Sequence, residues 1–92
     1  MKLEKTENQL IGNWLAEGSK VIEDNISKRI NWLIKNHLIK IATDKSEWLI
    51  LYQDPEDGRY WELSYPQGHL QDGGPPSLIN ISKERAEMRF RF

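Results

Sequence analysis

The chain has 92 residues, with 13 Lys and Arg against 14 Asp and Glu, no cysteine, and 38 % hydrophobic residues. That describes one small domain over residues 1–92, able to bury only roughly 60–65 % of its unfolded surface. It excludes a disulfide framework, a thiolate zinc site and a cysteine nucleophile, and a net charge of −1 argues against a dedicated nucleic-acid binder.

The first predicted element is a short helix near Thr6–Ile11, with Thr6 as N-cap and Glu7 in the first turn, stopped by Gly12 and Asn13. Glu4, Glu7 and Asn8 interrupt any apolar run that would serve as a signal peptide, so a cytoplasmic location is expected, and no stretch is apolar enough for a membrane span. Trp14-Leu15-Ala16 and Lys20-Val21-Ile22 flank Glu17-Gly18-Ser19 and read as a hairpin. A single helix through Gly12 and Gly18 would lose about 1 kcal/mol at each.

Asp24 caps the main helix, along which Ile26, Ile30, Leu33, Ile34 and His37 recur at helical spacing as one buried stripe. Trp32 falls on the far side beside Lys28 and Lys35, either covered by a neighbouring loop or part of a contact surface. The period then changes to two. Leu38–Ala42, Trp48–Tyr52 and Arg59–Tyr65 read as three strands, turned at Asp44-Lys45-Ser46 and at Asp54-Pro55-Glu56-Asp57-Gly58.

Pro66–Pro76 holds three glycines and three prolines and is the longest irregular stretch. Leu78–Ile81 would add an edge strand, and Ser82 caps a C-terminal helix with Glu84 in its first turn. Met88–Phe92 alternates with period two, as a strand or as a terminus whose Phe side chains tuck against the sheet. The fold class is therefore α+β: an antiparallel meander and an N-terminal hairpin packed on one main helix, with a short C-terminal helix or strand.

Chemistry is thinly represented. His37 continues the apolar stripe and reads as a core or helix-end histidine, whereas His69 lies in the Gly/Pro loop, either merely exposed or functional. There is no His-x-x-x-His spacing, no EF-hand pattern in the acidic turn and no phosphate loop at Gly73-Gly74, so neither a metal nor a cofactor is expected. A small enzyme built on Arg59, Asp57 and His69 is the weakest reading.

The densest polar-aromatic cluster is Asp54, Asp57, Arg59, Tyr60, Trp61, Glu62 and Tyr65. On a strand Arg59, Trp61, Leu63 and Tyr65 share one face, while Tyr60, Glu62 and Ser64 share the other. Either one face is core with Arg59 paired to Asp57 or Asp54 across the turn, or the rim is a binding face of the aromatic, Arg-containing type found at hot spots. Residues 44–72 carry seven acids and two bases, a net of −5, while the flanking segments are each net +2. A basic protein partner suits such a block.

Four segments resemble the immunity protein 27 family of bacterial polymorphic-toxin systems: Ile11-Gly12-Asn13-Trp14, Arg29-Ile30-Asn31-Trp32-Leu33-Ile34, the long run from Leu51 to Pro66, and Gly73-Gly74-Pro75-Pro76-Ser77-Leu78 with Ile81-Ser82. The resemblance spans Leu10 to about Ala86. It implies an α+β fold with no catalytic activity and no cofactor, acting by tight binding to a cognate toxin. Before the double glycine the chain departs from that pattern, which places a histidine and a third glycine near Gln71 and Asp72 where this chain has His69. The proposed toxin contacts are Asp54, Glu56, Asp57, Arg59, Trp61, Glu62 and Asp72, with His69 and Trp32 after them. A monomer is expected. The rival is an interaction or regulatory module that pairs with its own copy through the Arg/Phe strand at Met88–Phe92.

Overall fold

The computed structural model describes residues 2–17, 20–46, 48–66 and 74–91. In chain order the elements are β1 (Gln9–Ile11), β2 (Trp14–Glu17), β3 (Lys20–Glu23), α1 (Asn25–Asn36), β4 (Ile39–Thr43), β5 (Ile50–Gln53), β6 (Tyr60–Ser64), β7 (Ser77–Ile81) and α2 (Lys83–Phe90). Five strands make one antiparallel sheet in the order β1-β7-β6-β5-β4, and β2 and β3 form a separate hairpin. This is the expected α+β class.

Pleating divides the sheet's side chains between the two helices. On the α1 side one register row crosses four strands: Leu10 opposite Leu78, Leu78 opposite Leu63, Leu63 opposite Ile50. Trp61 stands beside Leu63 on the same face of β6, and Ile30 and Leu33 of α1 close over the row, all three fully buried. Each such helix side chain stabilises the domain by roughly 1.5–3 kcal/mol through burial. On the opposite side Leu51, Ala86 and Phe90 form a smaller cluster, with Tyr60 and Ile81 against it. Arg89 of α2 donates to the nearly buried Glu62 carboxylate at 2.7 Å, tying that helix to the middle of the sheet.

The helices begin where their caps dictate. The Asp24 side chain accepts from the Ser27 N–H at 2.7 Å, and the Ser82 hydroxyl accepts from the Arg85 N–H at 3.1 Å. Within α1 the first-turn residue that is buried is Ser27, not Ile26, which is 40 % exposed. The cause is a close backbone approach. Gly12 donates to the Pro76 carbonyl at 2.9 Å, and a Cβ at Gly12 would lie 2.3 Å from Ser27 Oγ and 2.7 Å from that carbonyl oxygen. Only a small side chain fits beneath such a crossing, and Ser27 also donates to the Asn13 carbonyl at 3.3 Å.

Two expectations are corrected by one pairing. Thr6–Ile11 is not a helix: its second half is β1, whose Leu10 pairs with Leu78. Because β1 occupies the outer position, β7 is interior to the sheet and not its edge. Tertiary pairing here overrides a local capping signal. At the other terminus α2 continues through Phe90, which is buried. The alternation at Met88–Phe90 is therefore helical, and the exposed strand on which edge-to-edge dimerisation depended is not present there.

Candidate functional site

β5 and β6 are antiparallel neighbours, so the turn between them and the segments at their other ends define two ends of the sheet. The turn end is polar. Asp54 is 1 % exposed, and its Oδ1 accepts from the Glu56 N–H at 2.8 Å and lies 3.0 Å from His37 Nε2. His37 is the C-cap of α1, so this contact fastens the turn to the helix end. Gly58 closes the turn at φ +78°, where a side chain would be strained, and its N–H donates to the Asp54 carbonyl at 2.8 Å.

The rest of the turn holds the N-terminal segment. Arg59 donates to Asp57 through Nε at 2.7 Å, to the Glu7 carbonyl at 2.6 Å and to the Glu4 carbonyl at 3.0 Å, and its guanidinium lies 5.0 Å from the centre of the Trp61 ring. Arg29 grips the Glu7 carboxylate with two hydrogen bonds of 2.6 Å and reaches the Lys2 carbonyl at 2.7 Å. Lys2 in turn pairs with Glu56 at 2.6 Å. The Arg29 hydrogen bonds hold the Glu7 carboxyl down at about 2, against an ordinary 4.5. Lys2 lowers the Glu56 carboxyl in the same way. Burial works to raise the Asp57 carboxyl, but hydrogen bonds from Arg59 outweigh it and leave it below its usual range.

The opposite end is apolar, roughly 16 Å away at the usual strand rise. Trp48, Leu49, Ser64, Tyr65 and Pro66 line a groove of about 320 Å³. Trp48 is 69 % exposed and Tyr65 is also exposed. The turn beneath Trp48 is ordered by its own hydrogen bonds. Ser46 Oγ donates to Asp44 Oδ1 at 2.8 Å and accepts from the Trp48 N–H at 3.2 Å, while the Leu49 N–H also reaches Asp44 Oδ1, at 3.3 Å.

With both ends in view, the sequence pattern of Immunity protein 27 matches residues 16–82 of the 92-residue chain. The chain belongs to that family. The matched stretch runs from the hairpin through β7, so the meander, both of its ends and the main helix all lie within the immunity-protein core. No curated protein and no solved structure matches the chain.

The contacts expected from the sequence divide sharply in this immunity protein. Asp54, Trp61 and Glu62 are buried, with Asp54 bonded to His37 and Glu62 to Arg89. Trp32 is half-buried against the α1 core cluster, so it is largely covered. Glu56, Asp57 and Arg59 are at the surface, each with an internal ionic partner. His69 and Asp72 lie outside the described residues, and with them the cleft that an enzyme on Arg59, Asp57 and His69 requires. Among the described residues, no helix is long and apolar enough to cross a membrane.

His37, Asp54 and Glu56 place one donor atom each within 4.8 Å of one another. As a cation site the set fits poorly, because each donor is already committed: His37 to Asp54, Asp54 to the Glu56 N–H, and Glu56 to Lys2. Sequence reasoning missed both the His37–Asp54 contact and the exposure of Trp48. The first has no local signal, since the pair is 17 residues apart. The second had one: Trp48 lies only two residues past Ser46, near enough to the Asp44-Lys45-Ser46 turn to belong to it and not to the strand.

Proposed function

We propose that this immunity protein protects the cell that makes it by binding one cognate toxin domain in the cytoplasm and covering the toxin's active site or a surface it needs. The inhibition is stoichiometric, not catalytic. Family membership carries this reading. The acidic excess of residues 44–72 supports a toxin with a basic surface, such as a nucleic-acid-degrading domain exposes, because opposite fields speed encounter and disfavour wrong partners. The exposed acids Glu56 and Asp57 contribute to that field at the turn end, while Asp54, Trp61 and Glu62 act indirectly by fixing the sheet.

Arg59, the group an enzyme reading would need free, spends its donors on Asp57, Glu7 and Glu4, which favours a binding role. Co-expression with the product of the adjacent toxin gene tests the proposal. Growth is restored and the two chains co-purify if it holds. Absence of rescue, together with no complex at micromolar concentration, removes it.

A further inference from the structure

At the same end of the sheet as the Trp48 groove, but on the α2 side, the β4–β5 turn and the last turn of α2 enclose a cleft of about 370 Å³. We propose that this cleft receives an acidic side chain of the toxin domain, bound by Lys45 and Arg91 with Arg89 beside them. This rests on the immunity reading and adds the place and the chemistry of one contact.

Three of the side chains that line the cleft are cationic, Lys45, Arg89 and Arg91, and all three are exposed. Two carboxylates stand against them. Arg89 is already bound to Glu62 at 2.7 Å, and Asp44 Oδ1 accepts from the Ser46 hydroxyl at 2.8 Å and from the Leu49 N–H at 3.3 Å. The side chains of Lys45 and Arg91 have no ion-pair partner among the described residues. A carboxylate arriving from outside therefore displaces nothing to reach them.

The backbone at Arg91 points the same way. Arg91 is the C-cap of α2 and lies in the left-handed region at φ 52°, where glycine is the usual residue. The helix dipole favours a cation at this end, but Arg89 in the last turn already supplies one. The fold alone is better served by glycine at this position, so the guanidinium has its use in what it meets outside the helix.

Shape and charge select the occupant. A nucleic-acid backbone requires a broad cationic surface, which a chain of net charge −1 does not offer. A small group of cations suits a single carboxylate, which a guanidinium holds with two parallel hydrogen bonds. Met88, which also lines the cleft and is 80 % exposed, offers apolar contact to the stem of that side chain. The toxin's basic surface then lies toward Glu56 and Asp57 at the far end of the sheet, and the two signs fix its register.

The test uses the full chain and a catalytically inactive form of the toxin domain encoded by the adjacent gene, with affinity and rates read by surface plasmon resonance. Arg91→Gly is expected to weaken binding by about ten-fold, while its thermal midpoint is no lower than that of the unaltered chain. Lys45→Glu, in an exposed turn, weakens binding at least as much because it adds repulsion. Both losses shrink as salt rises. Binding by both variants within about three-fold of the unaltered chain overturns the cleft and leaves the immunity reading standing. A lowered thermal midpoint in Arg91→Gly with binding retained assigns the guanidinium to the fold and overturns the cleft too. Light scattering that shows a dimer dissolved by Lys45→Glu assigns the cleft to a second copy, with the same consequence. No binding by the unaltered chain overturns both proposals.

Discussion

The two ends of the β5–β6 pair are made of the same kinds of residue and used in opposite ways. At the turn end Asp54, Glu56, Asp57 and Arg59 each have a partner within the chain, and Trp61 is sealed beneath Arg59. At the other end Trp48 and Tyr65 stand exposed over a turn that is itself well bonded. Residue type therefore does not separate packed from exposed side chains in this protein. What separates them is whether the rest of the chain packs over the side chain or pairs its charge.

The largest effect that would sharpen this contrast is at Trp61. Trp61→Ala is expected to destabilise the domain by roughly 3–5 kcal/mol, read as a fall in the urea midpoint. Trp61→Phe costs much less, because the buried indole N–H has no acceptor among the described residues and its removal leaves no broken bond. A stable Trp61→Ala chain that binds weakly would instead return Trp61 to the surface and break the contrast.

Asp54→Ala comes next, at about 2–4 kcal/mol, since it strands a nearly buried His37 and frees the Glu56 N–H. Affinity for the toxin per folded molecule should not change. A smaller effect belongs to Glu7, whose carboxyl titrates at about 2 in the folded chain against an ordinary 4.5. With the folded value depressed, the unfolded chain binds more protons in that interval, so the Arg29–Glu7 contribution is complete above pH 4.5 and is lost as pH falls through about 2. Urea unfolding from pH 5.5 downward should show a shallower acid slope in Glu7→Gln than in the unaltered chain.

The smallest effect is at the apolar end. Trp48→Ala should alter stability by no more than about 0.5 kcal/mol, as for other exposed positions away from caps and cores. A loss of several kcal/mol there would show that Trp48 serves the fold, and the two ends would no longer differ.

Much of the architecture was legible. Asp24 and Ser82 are legible as caps because their side chains satisfy first-turn N–H groups locally, and the Asp-Gly turn is legible because Gly58 supplies the positive φ it needs. Expectations failed where the decisive partner lay far off. Thr6 has the chemistry of a cap, but Leu10 finds Leu78; Ile26 fits the apolar stripe, but Gly12 presses on Ser27. The site was less legible for the same reason. Nothing near Asp54 in the chain announces His37, and nothing near Arg59 announces the carbonyls of Glu4 and Glu7.

The pairing of Leu10 with Leu78 also sets the order of assembly. β1 leaves the ribosome early and has no strand to join until β7 has followed it, 68 residues later by the difference of those two numbers. Pairings so distant in sequence are slow to close. The hairpin of β2 and β3 and the β4–β5–β6 meander can form as the chain emerges, whereas the four-strand hydrophobic row is completed only at the end. A nascent chain stopped before Ser77 would thus carry the buried face of α1 without Leu78 to complete the row beneath it, which makes it a substrate for chaperones and proteases.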